Sequence, residues 1–337
     1  MLIIKVKVIG LRLIPFCDKC VFLIGLGTIL LMGSCDREPL VEPYYMGQKP
    51  PGLIAERFAE NILFSTITET VHDELHSSVY FSPSGKEMYY TIQSRSVNTG
   101  IYKQKIMMIK LENGEWSKPE VAPFSGKFSD SFSSFSLDGK LIYFESDRPI
   151  DAQAGNINGN MWYVEYLNDE WSQAAYIGSP LADNSKVQNP SFAENGTLYF
   201  KRSYPKGDGW GEILSAKYFQ TKYENPVKLG PEINSGFYEN FPTIASDESY
   251  LIFYRMIPGG QTGQFISFKT NEERWTPGKF LGQEINGGGT AFSVSFSPDG
   301  KYLFYLLRAD NQLAKNELMR NEGIYWVATQ VVFELEN

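Results

Sequence analysis

Short apolar-aromatic runs recur along the chain at a regular interval, each entered through a polar turn. The runs are Met88-Tyr89-Tyr90, Leu141-Ile142-Tyr143-Phe144, Leu198-Tyr199-Phe200, Leu251-Ile252-Phe253-Tyr254 and Leu303-Phe304-Tyr305. Each is too short for a helix and rich in residues that fit a pleated surface, so each reads as a buried strand. The turns ahead of them are Phe81-Ser82-Pro83-Ser84-Gly85-Lys86, Phe135-Ser136-Leu137-Asp138-Gly139-Lys140, Phe192-Ala193-Glu194-Asn195-Gly196-Thr197, the degenerate Ile244-Ala245-Ser246-Asp247-Glu248-Ser249, and Phe296-Ser297-Pro298-Asp299-Gly300-Lys301. Their glycine position repeats at 54, 57, 52 and 52 residues. Proline presets φ, Asp or Asn tolerates the left-handed region, and Gly adopts positive φ, which together specify a tight hairpin.

Two further strands complete each unit. The third covers residues 106–111, 161–167, 212–219, 264–270 and 324–329, and a fourth opens on an aromatic anchor, Trp116, Trp171, Tyr223 or Trp275. These anchors repeat at 55, 52 and 52 residues, the same period measured independently. Four strands per repeat of just over 50 residues is the pattern of propeller blades. The fold class is therefore all-β: a single β-propeller over residues 53–337, of five four-stranded blades, with six as the alternative if the N-terminal segment and residues 331–335 contribute further strands. The last repeat lacks an anchor strand and the first has a surplus segment, residues 55–60, so an N-terminal strand is expected to close the ring and remove its open edge.

The N-terminus follows a different rule. Lys5, Lys7, Arg12 and Lys19 precede an apolar run at residues 21–32 that ends in Leu31-Met32-Gly33-Ser34-Cys35. Twelve residues rise about 18 Å as a helix, short of a ~30 Å hydrocarbon core, so the run reads as a signal peptide over residues 1–34. The ending resembles a bacterial lipobox, which implies cleavage before Cys35 and lipidation of its thiol. Residues 35–52, with Pro39, Pro43, Pro50 and Pro51, read as the lipidated Cys and a tether reaching about 50 Å. Cys17 and Cys20 have C-x-x-C spacing but lie in the segment expected to be removed, so neither zinc nor redox chemistry is expected of them.

The chain has 337 residues, a net charge of −8, 15% aromatic and 21% charged residues. That composition excludes disorder and coiled coil. Loss of residues 1–34 removes four bases and one acid and takes the charge from −8 to −11, against nucleic-acid binding. No cofactor or metal site is expected. His72-Asp73-Glu74-Leu75-His76 has the spacing of a zinc-protease pair, but on a strand four residues span about 13 Å.

The repeats resemble the WD40-like (PD40) units of TolB-type propellers. Ser297-Pro298-Asp299-Gly300-Lys301 matches their turn throughout, Ser82-Pro83-Ser84-Gly85-Lys86 departs at Ser84, and residues 45–52 resemble the entry to envelope lipoproteins built on this unit. The resemblance implies a periplasmic interaction platform.

Within each blade the start of the first strand and the end of the second share one face. Five positions before the aligned turn aromatic lie His76, Asp130, Val187, Glu239 and Ala291, and near the ends of the second strands lie Arg148, Arg202, Arg255 and Arg308. His76, Asp130, Glu239 and these arginines form a candidate ligand face, because guanidinium forks suit carboxylate or phosphate groups. The alternative is a solvated rim of salt bridges. Trp116, Trp171 and Trp275 read as inter-blade packing. No G-x-S-x-G is present, and the turns lack the form of sialidase Asp boxes. The expectation is a monomeric, lipid-anchored envelope module that binds a protein or glycan without catalysis; the alternatives are a glycan hydrolase using carboxylates such as Asp130 and Glu239, and a structural spacer.

Overall fold

The computed structural model describes residues 45–63, 72–95, 100–150, 160–167, 170–183, 185–204, 210–220, 222–287, 289–308 and 322–335. Cys35 and the leader lie outside them. The described residues form five antiparallel sheets arranged as propeller blades, and a two-stranded hairpin, Tyr218–Phe219 with Lys222–Tyr223.

The first blade is built from His72–Leu75, Tyr80–Phe81, Glu87–Arg95 and Tyr102–Glu112. The second uses Asp130–Phe135, Leu141–Ser146 and Asn160–Leu167; the third, Lys186–Phe192, Leu198–Ser203 and Glu212–Ala216. The fourth uses Tyr238–Ile244, Tyr250–Met256 and Thr262–Phe268; the fifth, Thr290–Phe296, Tyr302–Arg308 and Gly323–Ala328. The first strands of the second to fifth blades touch in succession, and that of the fifth touches Tyr80–Phe81 of the first, so first strands surround the axis.

The degenerate fourth turn has the backbone of the others. Glu248 N–H donates to Ala245 O at 3.0 Å, as Gly300 N–H does to Ser297 O at 2.9 Å, and φ is +61° at Glu248 against +72° at Gly300. A side chain is tolerated there because it is held. The Glu248 carboxylate accepts from Tyr199 Oη at 2.7 Å and Asn195 Nδ2 at 3.0 Å, and pairs with Lys269, which keeps its pKa below the usual range despite some burial. Where no such partners exist, the left-handed residue must be Gly. Gly300→Ala is expected to cost about 1–2 kcal/mol by backbone strain alone, since nothing lies within 4 Å of its added Cβ. Gly139→Ala should cost more, because its Cβ would also meet Pro83 Cδ at 3.2 Å. Urea unfolding of the two variants checks the order.

The outer strand differs from the expected one. It is split in two. Glu115–Trp116, Glu170–Trp171 and Lys222–Tyr223 each close a short hairpin, and the ladder resumes at Glu120–Val121, Ala175–Tyr176 and Val227–Lys228. In the fourth blade Trp275 makes a single bridge before Lys279–Phe280. Where the anchor is Trp, the hydroxyl of the next residue caps the break. Ser117 Oγ accepts from Lys110 N–H at 3.1 Å, Ser172 Oγ from Glu165 N–H at 3.0 Å and Thr276 Oγ1 from Phe268 N–H at 2.9 Å. A side chain thus takes a ladder bond that the backbone would otherwise make. The anchors pack between rings, Trp171 against Phe124 and Tyr166, and Trp275 against Tyr199 of the preceding blade.

The ring closes as the unpaired repeat ends require. Glu56–Arg57 pairs with the last blade, Glu56 opposite Trp326 and Arg57 opposite Tyr325, and Phe58 N–H donates to Ile324 O at 2.9 Å. Residues 331–335 add no strand; Thr329–Leu335 is a 3₁₀ turn, with Val331 and Val332 buried against the fourth and fifth blades, so the count is five among the described residues. The tether read from sequence ran to residue 52, but its last part belongs to the body. Tyr45 is 4% exposed and touches Phe81, Tyr302, Phe304 and Trp326, and Gly52 O accepts from Ala328 N–H. Proline and glycine content marked this segment as loop; the buried aromatic ring is what docks it.

Candidate functional site

The structure brings the acids and arginines of one face together in pairs, but below the surface. Asp130 is 0% exposed, 2.8 Å from Arg148 Nη2, and also accepts from Ser125 and Ser146 hydroxyls. Glu239 is 1% exposed and 2.9 Å from Arg255 Nε. The guanidiniums finish their bonding on backbone: Arg148 on Phe124 O at 3.3 Å, Arg255 on Ile233 O at 2.8 Å, Arg202 on Leu181 O at 2.7 Å. Each ties the segment entering a blade to that blade's second strand. Each also lies over a second-strand ring, Phe144, Phe253 or Phe200. These are buried clamps, with little left for a ligand.

The third blade breaks the pattern informatively. Val187 stands opposite Arg202 in the register that Glu239 holds opposite Arg255, and Arg202 Nε is buried without a partner among the described residues. Val187→Glu should recreate the fourth-blade pair. We expect a net cost below about 1 kcal/mol, because the regained bonds offset desolvation. In an Arg202→Met background the same change should cost about 3 kcal/mol or more, since the carboxylate is then buried alone. A double-mutant cycle by denaturation reads the coupling; additive costs would show that no pair forms.

Arg308 departs from the other arginines. It crosses to the first blade, donating to Leu75 O at 2.9 Å, with His76 Nδ1 at 3.2 Å and Glu74 at 3.9 Å. Guanidinium can only donate, so His76 Nδ1 accepts and the ring is neutral. Burial, then the Arg308 charge, lowers the His76 pKa to about 4. The unfolded chain takes up this proton near pH 6.5, the folded chain only near 4. Stability from His76 is therefore complete above about pH 6.5 and is lost as pH falls toward 4, on the order of 3 kcal/mol. His76→Gln should flatten that limb of the stability–pH curve; an unchanged slope would refute the assignment. His72 opens the strand His72–Leu75 and His76 follows its end, so the two backbone positions are about 13 Å apart on extended chain.

The five blades meet at a second polar constellation, nearer the axis. First strands carry a bulge three residues before the turn aromatic, with φ of +51° at Asn189, +47° at Phe241 and +53° at Ser293. The bulge turns amide and hydroxyl groups across blade boundaries. Ser78 N–H donates to Ser293 Oγ, which is 2.8 Å from Tyr80 Oη. Glu145 accepts from Gln188 Nε2 at 2.9 Å and Asn189 N–H at 3.0 Å. Asn189 Nδ2 donates to Asn240 Oδ1, Asn240 Nδ2 to Tyr238 Oη, and Lys201 Nζ to Tyr238 Oη at 3.2 Å. Burial raises the Glu145 pKa, partly offset by the Gln188 and Asn189 bonds and the Lys201 charge. Burial also pushes the Tyr80 hydroxyl up to about 12. The arrangement is a hydrogen-bonding cradle with one carboxyl and one ammonium.

This ring escaped the sequence reading. Its signal was the charge breaking two apolar runs, Glu145 after Tyr143-Phe144 and Lys201 after Tyr199-Phe200, together with amides where a first strand should be apolar.

No family model matches the chain, and no curated protein does; the WD40-like (PD40) family is therefore not matched. Among solved structures the chain is similar to TolB from Acinetobacter baumannii, at 17% identity and TM-score 0.44 over 71% of this chain and 50% of that one. It spans half the length of that protein. A putative TolB from Agrobacterium tumefaciens gives 12% identity and TM-score 0.44 over 72% and 73% of the two chains. An alpha-L-arabinofuranosidase from Lactobacillus brevis gives 15% and 0.43 over 74% and 88%. The propeller assignment stands on strand order and register.

Proposed function

We propose that this chain is a lipid-anchored envelope propeller that binds a protein or glycan partner and performs no chemistry on it. The observation that carries the reading is the axial ring, to which all five blades contribute hydrogen-bonding groups. The hydrolase alternative needed Asp130 and Glu239 as working carboxylates. Both are engaged by arginines and withdrawn from solvent, and glycoside hydrolysis needs two carboxyl groups free to face the bond. Glu145 is the carboxylate of the ring, and it is alone there among the described residues.

The test is affinity capture from envelope membranes with the full chain, a Lys201→Met variant and a Cys35→Ser variant. A partner retained by the parent and lost from Lys201→Met is the expected result, with Cys35→Ser moving to the soluble fraction. Hydrolysis of a glycan panel by the parent, or identical captures by parent and Lys201→Met, would overturn the reading.

A further inference from the structure

Two buried groups in the axial ring lack the partners their chemistry demands. Lys201 is 4% exposed, yet among the described residues its ammonium has a single hydrogen bond, to the Tyr238 hydroxyl, whose ring it also overlies at 4.3 Å, and no carboxylate within ion-pair distance. An ammonium offers three donors and carries a full charge. Ser78 is fully buried, and its hydroxyl has no partner among the described residues. A buried charge or hydroxyl left in this state is costly unless something else supplies the acceptor.

Glu145 feels the Lys201 charge but, among the described residues, makes no ion pair with it; its hydrogen bonds go to Gln188 and Asn189 instead. Cation and carboxyl are therefore held apart by their separate anchors. Beside them, Asn240 is 6% exposed and opposite Tyr254 in register, and Tyr254 stacks on Phe292 at 5.0 Å with Phe241 edge-on at 6.3 Å. The ring thus offers the Lys201 cation, the Glu145 carboxyl, amides, hydroxyls and an aromatic wall.

We propose that the axial ring binds a small polyhydroxylated carboxylate of the sugar-acid class, its carboxylate on Lys201 and its hydroxyls on Glu145, Asn240 and Ser78. This rests on the binding-module reading and narrows it. A neutral sugar would leave the ammonium without an anionic acceptor. A phosphate dianion would face Glu145 without an arginine to hold it, since the arginines are committed to backbone carbonyls. A cationic ligand would be repelled by Lys201. A hydroxy-acid satisfies both ends, with its carbon face against the aromatic wall.

Isothermal titration of the full chain with glucuronate, galacturonate, glucose, galactose and inorganic phosphate tests the proposal. The uronates are expected to bind, each neutral sugar at least 10-fold more weakly, and phosphate not at all; loss of one charge-assisted bond is worth about 10- to 100-fold. Lys201→Met, with its fold checked by circular dichroism and melting, should bring acid and neutral sugar to equal affinity. Should that variant not fold, Tyr238→Phe, which removes the Lys201 partner and keeps the ring, should alter uronate affinity more than glucose affinity. Equal binding of acids and neutral sugars by the parent would overturn the sugar-acid class and leave the module standing. No binding of any sugar, with envelope capture intact, would remove the axial site and keep the module; failure of both would remove both.

Discussion

Arg255→Ala is expected to lose about 3–5 kcal/mol of stability, and Glu239→Ala a similar amount. The two side chains are 8% and 2% exposed and 2.9 Å apart. Removing either leaves the other as a buried charge with no counterion. Arg255 also ties Ile233 O and lies over Phe253 and Phe265, so its loss frees the entry segment of the fourth blade as well. The costs are not additive. A Glu239→Leu, Arg255→Met pair replaces both charges by apolar volume and should be closer to the parent than either single variant. Urea denaturation of the four proteins reads this directly. A single-variant cost below about 1 kcal/mol would place the pair with exposed salt bridges and refute a clamp.

Trp326→Ala is expected to cost about 3–5 kcal/mol through lost packing at the closing seam. Trp326 is 0% exposed and contacts Tyr45, Phe58, Tyr302 and Phe304. These rings come from both ends of the chain and join the closing strand to the last blade. Losing the indole should therefore release residues 45–58 as well as lower the urea midpoint, so limited proteolysis should cut there first. Trp326→Phe should cost less, because it keeps ring contacts and removes an indole N–H that has no partner among the described residues. A Trp326→Ala protein with its unfolding midpoint and cleavage pattern unchanged would show that closure rests elsewhere.

The blade count and the closure were legible because both follow from local rules repeated along the chain. A tight turn needs a residue that accepts positive φ, so Gly85, Gly139, Gly196 and Gly300 mark four hairpins. The fourth turn was legible only through its spacing. Glu248 keeps its left-handed backbone by bonds to Tyr199, Asn195 and Lys269, which are remote in sequence. The sequence expected the arginines on one face; their depth was not readable. A strand pattern gives the side of the sheet and says nothing of whether a backbone carbonyl such as Leu181 O or Ile233 O waits within reach.

The axial ring shows the same division. The sequence by itself determined a five-repeat all-β chain, its turn chemistry, the pairing of its two ends and the presence of Glu145 and Lys201 within apolar runs. Only the tertiary structure decided that Glu145 meets Gln188 and Asn189 of the next blade, that Asn189 meets Asn240, and that Lys201 is buried with one neutral partner. The physical reason is range. Turn and strand preferences act over a few residues and leave a periodic trace, whereas contacts across a blade boundary join positions some 40 to 50 residues apart. Those contacts depend on a bulge that a side-chain pattern does not record.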